Sequence, residues 1–504
     1  MKKTRILAAL LASLMLFSSL TACGTNTEDP ADNGDQTLWS GTEEETFLKD
    51  NLPEDLYYDD DEISIISRYV EGWTSGEIAV PGLNSEPVND AVFERNKAVE
   101  ERLGVKIISI EDSTSGHSAV VNKVSVAVKG GSKDYDVMAA PCYTTLPETL
   151  NGTFTNLRAT EYLDFDQPWW TQGFHEAAMH KGAQYAIVGS MLLSMYRFGF
   201  VTVFNKDMFT DAGQPFLYQY VENGTWTLDK QTELVSVFYK DNGDGIRDRN
   251  GDIYGFVSSN ETSVDPYWSS CKLDIIKTNA EGEYEFVLDM ERLHGVTDKV
   301  LRLFYETNGG TMYYALRESD AEQVDIRQMF VNGFAAMATL RVLEMENSSM
   351  RNMEQEYGVV PMPKYDQAQD GYATLLHDQF TVVCIPVTVT DDRLNEVTAV
   401  LEAMSSTSYN IVKPVYYEAT LRTKLAQDPQ SSEMMDIITQ NVYIDPGIIY
   451  ISALNSFHHG FRNVIISRTN NSVSLYKART KACQRSLDTI SKKLEKVAEL
   501  QERN

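Results

Sequence analysis

Between residues 63 and 140 β-rich and helical stretches alternate, and that alternation leaves few folds open. "ISIISRY" (63–69) is a β-rich run. "NDAVFERNKAVEERLG" (89–104) carries Val92, Val99 and Leu103 at helical spacing, with Asn89 or Asp90 as cap and Gly104 as stop. "VKIISIE" (105–111) reads as a strand, roughly 117–129 as a second helix, and "YDVMAA" (135–140) as a third strand. Strand–helix–strand–helix–strand predicts an α/β fold, a parallel sheet with helices on its faces. Ligands of such sheets bind beyond the carboxyl ends of the strands. The loops "VEGWTSGE" (70–77) and "APCYTT" (140–145) would stand at that edge, and each carries an aromatic residue.

Ahead of this body, Lys2, Lys3 and Arg5 precede the apolar run "ILAALLASLMLF" and the small residues Ser18 and Ser19. A basic start, a short apolar run and a small-residue exit describe a secretory signal over 1–22. The run is shorter than the roughly 20 residues that span a bilayer. Leu20-Thr21-Ala22-Cys23-Gly24 resembles the lipobox of bacterial lipoproteins. That resemblance implies cleavage before Cys23, a diacylglycerol on its thiol and acylation (palmitate) of the new amino terminus. The expected location is then the extracellular face of the cell membrane, held by lipid. Each buried CH₂ contributes about 0.8 kcal/mol to such anchoring. Residues 24–62 hold fourteen Asp or Glu and one Lys, so 23–62 is expected to be a lipidated cysteine followed by a flexible acidic linker.

Charge narrows the partners. The formal net charge is −29, and loss of the three cations of the signal makes it −32. A chain this acidic repels nucleic acid and anionic lipid. Its 504 residues, 42% apolar, suffice for two or three folded units. Cys142, Cys271, Cys384 and Cys483 are scattered with no CxxC pair, which predicts buried free thiols rather than a zinc site or a disulfide framework.

A lipobox, an acidic linker, a strand and then "NDAVFERNKAVEERLGVKI" together resemble the extracellular solute-binding proteins of Gram-positive ABC importers, the large sugar-binding type. Further segments fit in order. "FGFVTVFNKDMFTDAG" (198–213) resembles the crossing into the second lobe, where Phe204-Asn205-Lys206 recurs in the family. "NGTWTLDKQTELV" (223–235) resembles its Gly-x-Trp-Thr helix start, with Trp226 assigned to packing there. "FVNGFAAMAT" (330–339), "YGVVPMPKYD" (357–366) and "VYYEATLRTKLAQDPQSSEMMDII" (415–438) resemble its Gly-x-Ala-Ala-Met strand, its return crossing and a carboxy-terminal pattern of the large subgroup. The resemblance implies a two-lobed periplasmic-binding-protein-like fold of type II, joined by hinge crossings. One lobe would take 61–200 with 367–412, the other 203–360 with 413–504. It further implies a binding protein rather than an enzyme, ABC permease subunits as partners, and a monomer that closes on its ligand.

Sugar rings offer C–H patches to aromatic faces and hydroxyls to polar side chains, so aromatics in polar loops are the ligand candidates. They are Trp73, Tyr143, Trp169 and Trp170 in "FDQPWWTQGF" (165–174), Tyr267 and Trp268 in "VDPYWSS" (264–270), and Tyr416-Tyr417-Glu418. Packing in the core would use the same residue types, and peptides also favour aromatic pockets.

"YKDNGDGIRDRNGDIYG" (239–255) resembles a calcium loop, in which spaced oxygens wrap a hard cation and a glycine makes the sharp turn. Aligning Gly245 with that turn gives Asn242, Asp244, the Ile246 carbonyl and Asp248 as ligands. Lys240 then takes the first position and Gly251 the twelfth, so Asp241 or Asp252 would have to substitute by a shift of the loop. A structural calcium and a hydrated Asn/Asp/Gly turn both remain open, and no catalytic cofactor is expected.

Enzyme signatures are sparse. "HEAAMH" (175–180) spaces its histidines five apart, about 140° around a helix, which does not suit a zincin pair. Neither a G-x-S-x-G elbow nor a phosphate-binding G-x-x-x-x-G-K-[ST] occurs. With 73 acids in the chain, a carboxylate pair for glycoside hydrolysis is not testable by spacing. A surface-anchored glycoside hydrolase and a peptide-binding or adhesion lipoprotein are the alternatives.

Overall fold

In the computed structural model the alternating segment forms β1 (Asp61–Arg68), α1 (Pro87–Leu103), β2 (Val105–Asp112), α2 (Ala119–Lys129), β3 (Val137–Pro141) and α3 (Cys142–Thr149). The structure describes residues 47–248, 251–259, 262–314, 320–421 and 429–502. Cys23 and the signal lie outside them. Helix α1 begins two residues ahead of the predicted cap. Pro87 suits a first helical position, where its missing N–H has no partner to lose, and the Glu86 side chain accepts from the Asn89 N–H at 2.7 Å. At the far end Gly104 takes the expected left-handed conformation, φ 64°.

The remaining strands are β4 (Phe200–Asn205), β5 (Phe256–Ser259), β6 (Ile276–Thr278), β7 (Tyr284–Phe286), β8 (Thr311–Tyr314), β9 (Met337–Arg341), β10 (Tyr357–Pro361) and β11 (Thr381–Cys384). They build two main sheets. The first has the order β11-β3-β1-β2, with β1 parallel to β2 and β3. The expected purely parallel sheet is therefore mixed, because β11 returns to it antiparallel to β3. The second has the order β10-β4-β9-β5-β8, in which β4 is antiparallel to both neighbours and β5 parallel to both of its own. β6 and β7 form a separate hairpin.

Helices α4 (Leu228–Phe238), α5 (Asp265–Ser270), α6 (Met290–Tyr305) and α7 (Asp320–Val331) follow β4 in the chain and precede α8 (Asp391–Thr407), α9 (Lys413–Leu421), α10 (Pro429–Gln440), α11 (Gly460–Ser467) and α12 (Ser472–Glu502). Trp226 is fully buried just ahead of α4 and donates to the Pro361 carbonyl at 2.8 Å. The chain after 413 serves both sheets. α9 packs on α1, α10 packs on β10, and α12 packs on α6 and α11. The far end of α12 reaches the first-sheet side, where Gln501 donates to the Phe154 carbonyl at 2.7 Å.

The acidic stretch belongs to the body from Leu48 onward. Asp50 pairs with Arg102 at 2.6 Å and accepts from Ser406 at 2.8 Å, and Leu52 is buried, so charge pairing and burial fix what composition alone predicted to be free. Cys142, Cys271, Cys384 and Cys483 are buried free thiols. Among the described residues no helix is long and apolar enough to cross a membrane.

Candidate ligand site

The carboxyl ends of β1 and β9, one from each main sheet, meet at Trp73. The loop after β1 is tied at its base by two buried charged residues. Glu77 accepts from the Ser194 N–H (2.8 Å), the Ser194 hydroxyl (2.6 Å) and the Thr381 hydroxyl (2.6 Å). Arg95, fully buried, donates to Asn96 Oδ1 at 2.8 Å and to the Met191 carbonyl at 3.1 Å. Burial raises the Glu77 carboxyl and pushes the Arg95 guanidinium down to about 9. Within the loop the Thr74 hydroxyl donates to the Arg68 carbonyl at 2.8 Å and accepts from the Val70 N–H at 3.1 Å. So anchored, the loop holds a half-buried indole at a strand end.

Around that ring stand groups from distant parts of the chain. The Arg341 guanidinium, at the end of β9, lies 4.5 Å from the Trp73 ring. The rings of Phe198 and His377 approach edge-on at 5.3 and 5.7 Å. Arg197 donates to the carbonyls of Trp73 and Ser75 at 3.3 Å each and pairs with Glu346 at 3.0 Å, linking the first-sheet loop to the turn after β9. Tyr416 donates to Glu346 at 2.8 Å from a fully buried ring stacked on Tyr196 at 5.5 Å. Arg341 also donates to Glu344 at 3.0 Å, and Arg327 of α7 donates to the same carboxylate. At the end of β3, the half-buried Tyr143 hydrogen-bonds His117.

An aromatic face bordered by guanidinium, imidazole and carboxylate groups can hold a ring bearing many hydroxyls. The two carboxylates that follow β9 are engaged: Glu344 by two arginines, Glu346 by Arg197 and Tyr416. Of the residues singled out from the sequence, Trp73 and the buried Tyr416 belong to this cluster and Tyr143 stands beside His117 at the end of β3, whereas Arg197, Arg327, Arg341, Glu344, Glu346 and His377 were not singled out. A readable signal existed for Arg341, a charged residue closing the apolar strand "AAMATL" at its carboxyl end.

The other candidates lie elsewhere. Trp169 and Trp170, in a loop as predicted, are buried and donate through their indole N–H groups to the Glu402 carboxylate at 2.9 and 3.1 Å. With Tyr196, Tyr409, Lys413 and Tyr417 they line a separate cavity of about 200 Å³. Glu418 is exposed on α9. "VDPYWSS" is helical (α5) rather than a loop, since Pro266 sits in the first turn where proline is tolerated. Trp268 there is fully buried against His458, Phe461 and Tyr476, and the buried Tyr267 donates to Gln231 at 3.2 Å. Asp265, His458 and His459 have ligand atoms within 4.8 Å of one another, but Arg462 takes both oxygens of Asp265.

The Asp/Asn/Gly loop is closed by its own turns. Asp241 accepts from the N–H groups of Gly243 (2.7 Å) and Gly245 (3.2 Å), Asn242 from Asp244 (2.9 Å), and Asp244 from Ile246 (2.7 Å). Buried Asp252 accepts from the backbone of Asn242 (3.0 Å) and Asp248 (3.2 Å).

Comparison with solved structures places this geometry. A sugar transporter from Rhizobium etli in an open conformation matches with a TM-score of 0.54 at 15% identity, over 86% of this chain and 99% of that one. An ABC transporter solute-binding protein from Thermotoga lettingae bound with α-D-tagatose matches at 0.51 and 16%, over 85% and 100%. An ABC substrate-binding protein from Listeria monocytogenes in complex with cycloalternan matches at 0.50 and 15%, over 86% and 99%. The fold is that of a two-lobed solute-binding protein. No protein-family model and no curated protein matched the sequence. In this type II, two-lobed α/β fold each main sheet is the centre of one lobe, and Arg341 at the end of β9 touches Trp73 in the loop after β1.

Proposed function

We propose that the chain is the capture component of a carbohydrate ABC importer, binding an oligosaccharide between its lobes and releasing it unaltered. The observation that carries this reading is the Trp73–Arg341 contact: a half-buried aromatic face of one sheet's edge set against a guanidinium of the other's. Ligand touching both would favour closure, because only a ligand with greater affinity for the closed state shifts the balance. The fold, shared with proteins solved with sugars, supports carbohydrate over peptide. The engagement of Glu344 and Glu346 by arginines supports binding over hydrolysis, since neither is free to act as acid or base. Anchoring through lipid on Cys23 and docking on permease subunits complete the proposal.

The test is a thermal-shift and calorimetry screen of neutral and acidic oligosaccharides, with the sugar recovered and analysed afterwards. Binding raises Tm by mass action, and the recovered sugar is intact. Trp73→Ala weakens binding at least about tenfold, roughly 1.4 kcal/mol. Recovery of cleaved sugar would overturn the capture reading, and so would full affinity in Trp73→Ala.

A further inference from the structure

The chain passes from one main sheet to the other just before β4, between β10 and β11, and again after α10. These crossings run side by side: Gly199 pairs with Leu376, and Thr374 with Val442. The cavity lined by Trp169 and Trp170 adjoins them, for its lining includes Tyr196, just ahead of Gly199, and Val442 itself. Its walls come from both lobes. Segment 169–173 is tied to β11 of the first sheet through the Trp170–Gly189 and Ile187–Val383 pairings. Thr439 and Gln440, opposite in origin, end α10, which packs on β10 of the second.

The lining has the make-up of a sugar site. Trp170, Tyr196 and Tyr417 are buried, whereas Pro168, Gln172 and Gln440 are exposed, so aromatic rings lie behind a mouth that solvent reaches. The Tyr196 hydroxyl is enclosed without a hydrogen-bond partner of good geometry, with Ser190 of the same lining near it. Such a group is costly to leave unmet, and a ligand hydroxyl would meet it. The Gln440 amide offers a donor and an acceptor at the mouth. Lys413 is the one ionic side chain of the lining and has the Asp436 carboxylate as an electrostatic partner, which suits an uncharged polyol better than an anion. The volume, about 200 Å³, exceeds the roughly 150 Å³ that takes up a benzene and falls short of the roughly 300 Å³ at which drug-sized pockets begin. That is room for one ring and not for a chain.

From Tyr196 the contacts run on to Trp73. The Tyr196 ring stacks on Tyr416 at 5.5 Å and meets Tyr417 edge-on at 5.8 Å. Tyr416 donates to Glu346, Glu346 pairs with Arg197, and Arg197 donates to the Trp73 carbonyl. A molecule held between segment 169–173 and Gln440 senses how the lobes are arranged, and it shifts them by its differential affinity.

We infer that this cavity beside the crossings is a second ligand site, taking a single uncharged sugar ring, whose occupation favours the lobe arrangement in which Arg341 touches Trp73 and so tightens capture there. The site stands on the cavity alone; its coupling to capture rests on the proposed function.

Calorimetry titrates the protein with D-glucose, D-galactose, D-mannose and D-xylose, with phenol as a ring lacking the further hydroxyls, and with the oligosaccharide that raises Tm in the screen above. At least one of the four monosaccharides binds, and it still binds when the oligosaccharide is saturating. Each sugar tightens the other severalfold, by the same factor. Gln440→Ala, at an exposed position, weakens the monosaccharide severalfold and leaves the affinity for oligosaccharide alone unchanged. Tyr196→Phe, which keeps the ring and removes only the enclosed hydroxyl, also weakens the monosaccharide; a merely structural Tyr196 would show no such loss. Competition between the two sugars, monosaccharide binding indifferent to both variants, or binding of none of the five small molecules overturns the second site. Phenol binding without any of the four sugars overturns the sugar assignment. Joint binding with no mutual effect overturns the coupling. Failure of every oligosaccharide to bind overturns the capture reading, while the monosaccharide titrations of the two variants still decide the site.

Discussion

Glu402 shows how a single residue can decide what neighbouring aromatics are for. It sits on α8, 1% exposed, and accepts N–H groups from Trp169, Trp170 and the Asp164 backbone. The two indoles thus have a structural partner for their polar ends. Burial outweighs those donors and pushes the Glu402 carboxyl up to about 8. Below pH 4.5 the group is protonated folded and unfolded alike. Between 4.5 and 8 the unfolded chain releases the proton and the folded chain keeps it, so this residue's contribution falls as pH rises and levels off above 8. Glu402→Gln removes the titration. The stability of the variant relative to the parent should therefore climb from pH 5 to pH 8, by on the order of a few kcal/mol, and then hold constant. Urea melts at matched pH values measure it. A flat difference would mean that the three N–H donors keep the carboxylate ionised throughout.

At the scale of elements, two glycines mark where backbone and side chain approach too closely for any other residue. Gly104 caps α1 in the left-handed region, and an added Cβ would fall 2.3 Å from the Tyr57 ring. Tyr57 is 56% exposed and can swing aside, leaving mainly the conformational strain, about 1 kcal/mol. Gly358, in β10, has ordinary backbone, but an added Cβ would overlap the Tyr218 hydroxyl and the Phe204 ring, both fully buried. Gly358→Ala should therefore cost more than Gly104→Ala, about 2–3 kcal/mol by overpacking. Equilibrium unfolding of both variants checks the order, and the reverse order would mean that the β10 crossing yields more readily than its burial implies. The same contrast explains what could be read beforehand. Elements from 61 to 141 were legible because hydrophobic period and a stop glycine are local signals. The partnership of Trp73 with Arg197, Arg341 and His377 was not, because it joins residues more than a hundred positions apart. Trp268 misled for a related reason: "DPYWSS" carries loop-like composition, yet proline in a first turn is compatible with a helix.

Across the whole molecule, function and address are assigned to different regions. The strand ends that meet at Trp73 belong to the body that starts at Leu48, whereas the proposed anchor is Cys23, twenty-five residues earlier in the chain. Arg197 joins the Trp73 loop to the turn after β9 through carbonyl and carboxylate contacts that all lie within that body. Lipid on a thiol supplies membrane affinity in proportion to its buried methylenes, and serine at position 23 offers no thiol to acylate. Cys23→Ser should then move the protein from the membrane fraction to the medium and out of the detergent phase on phase partitioning. Its affinity for the same oligosaccharide should stay within about twofold of the parent, the scatter expected of two non-interacting sites. Retention of the variant on membranes would show that something other than the thiol holds it there. Release accompanied by lost affinity would show instead that the leading segment takes part in capture, and would move the boundary of the binding body upstream of Leu48.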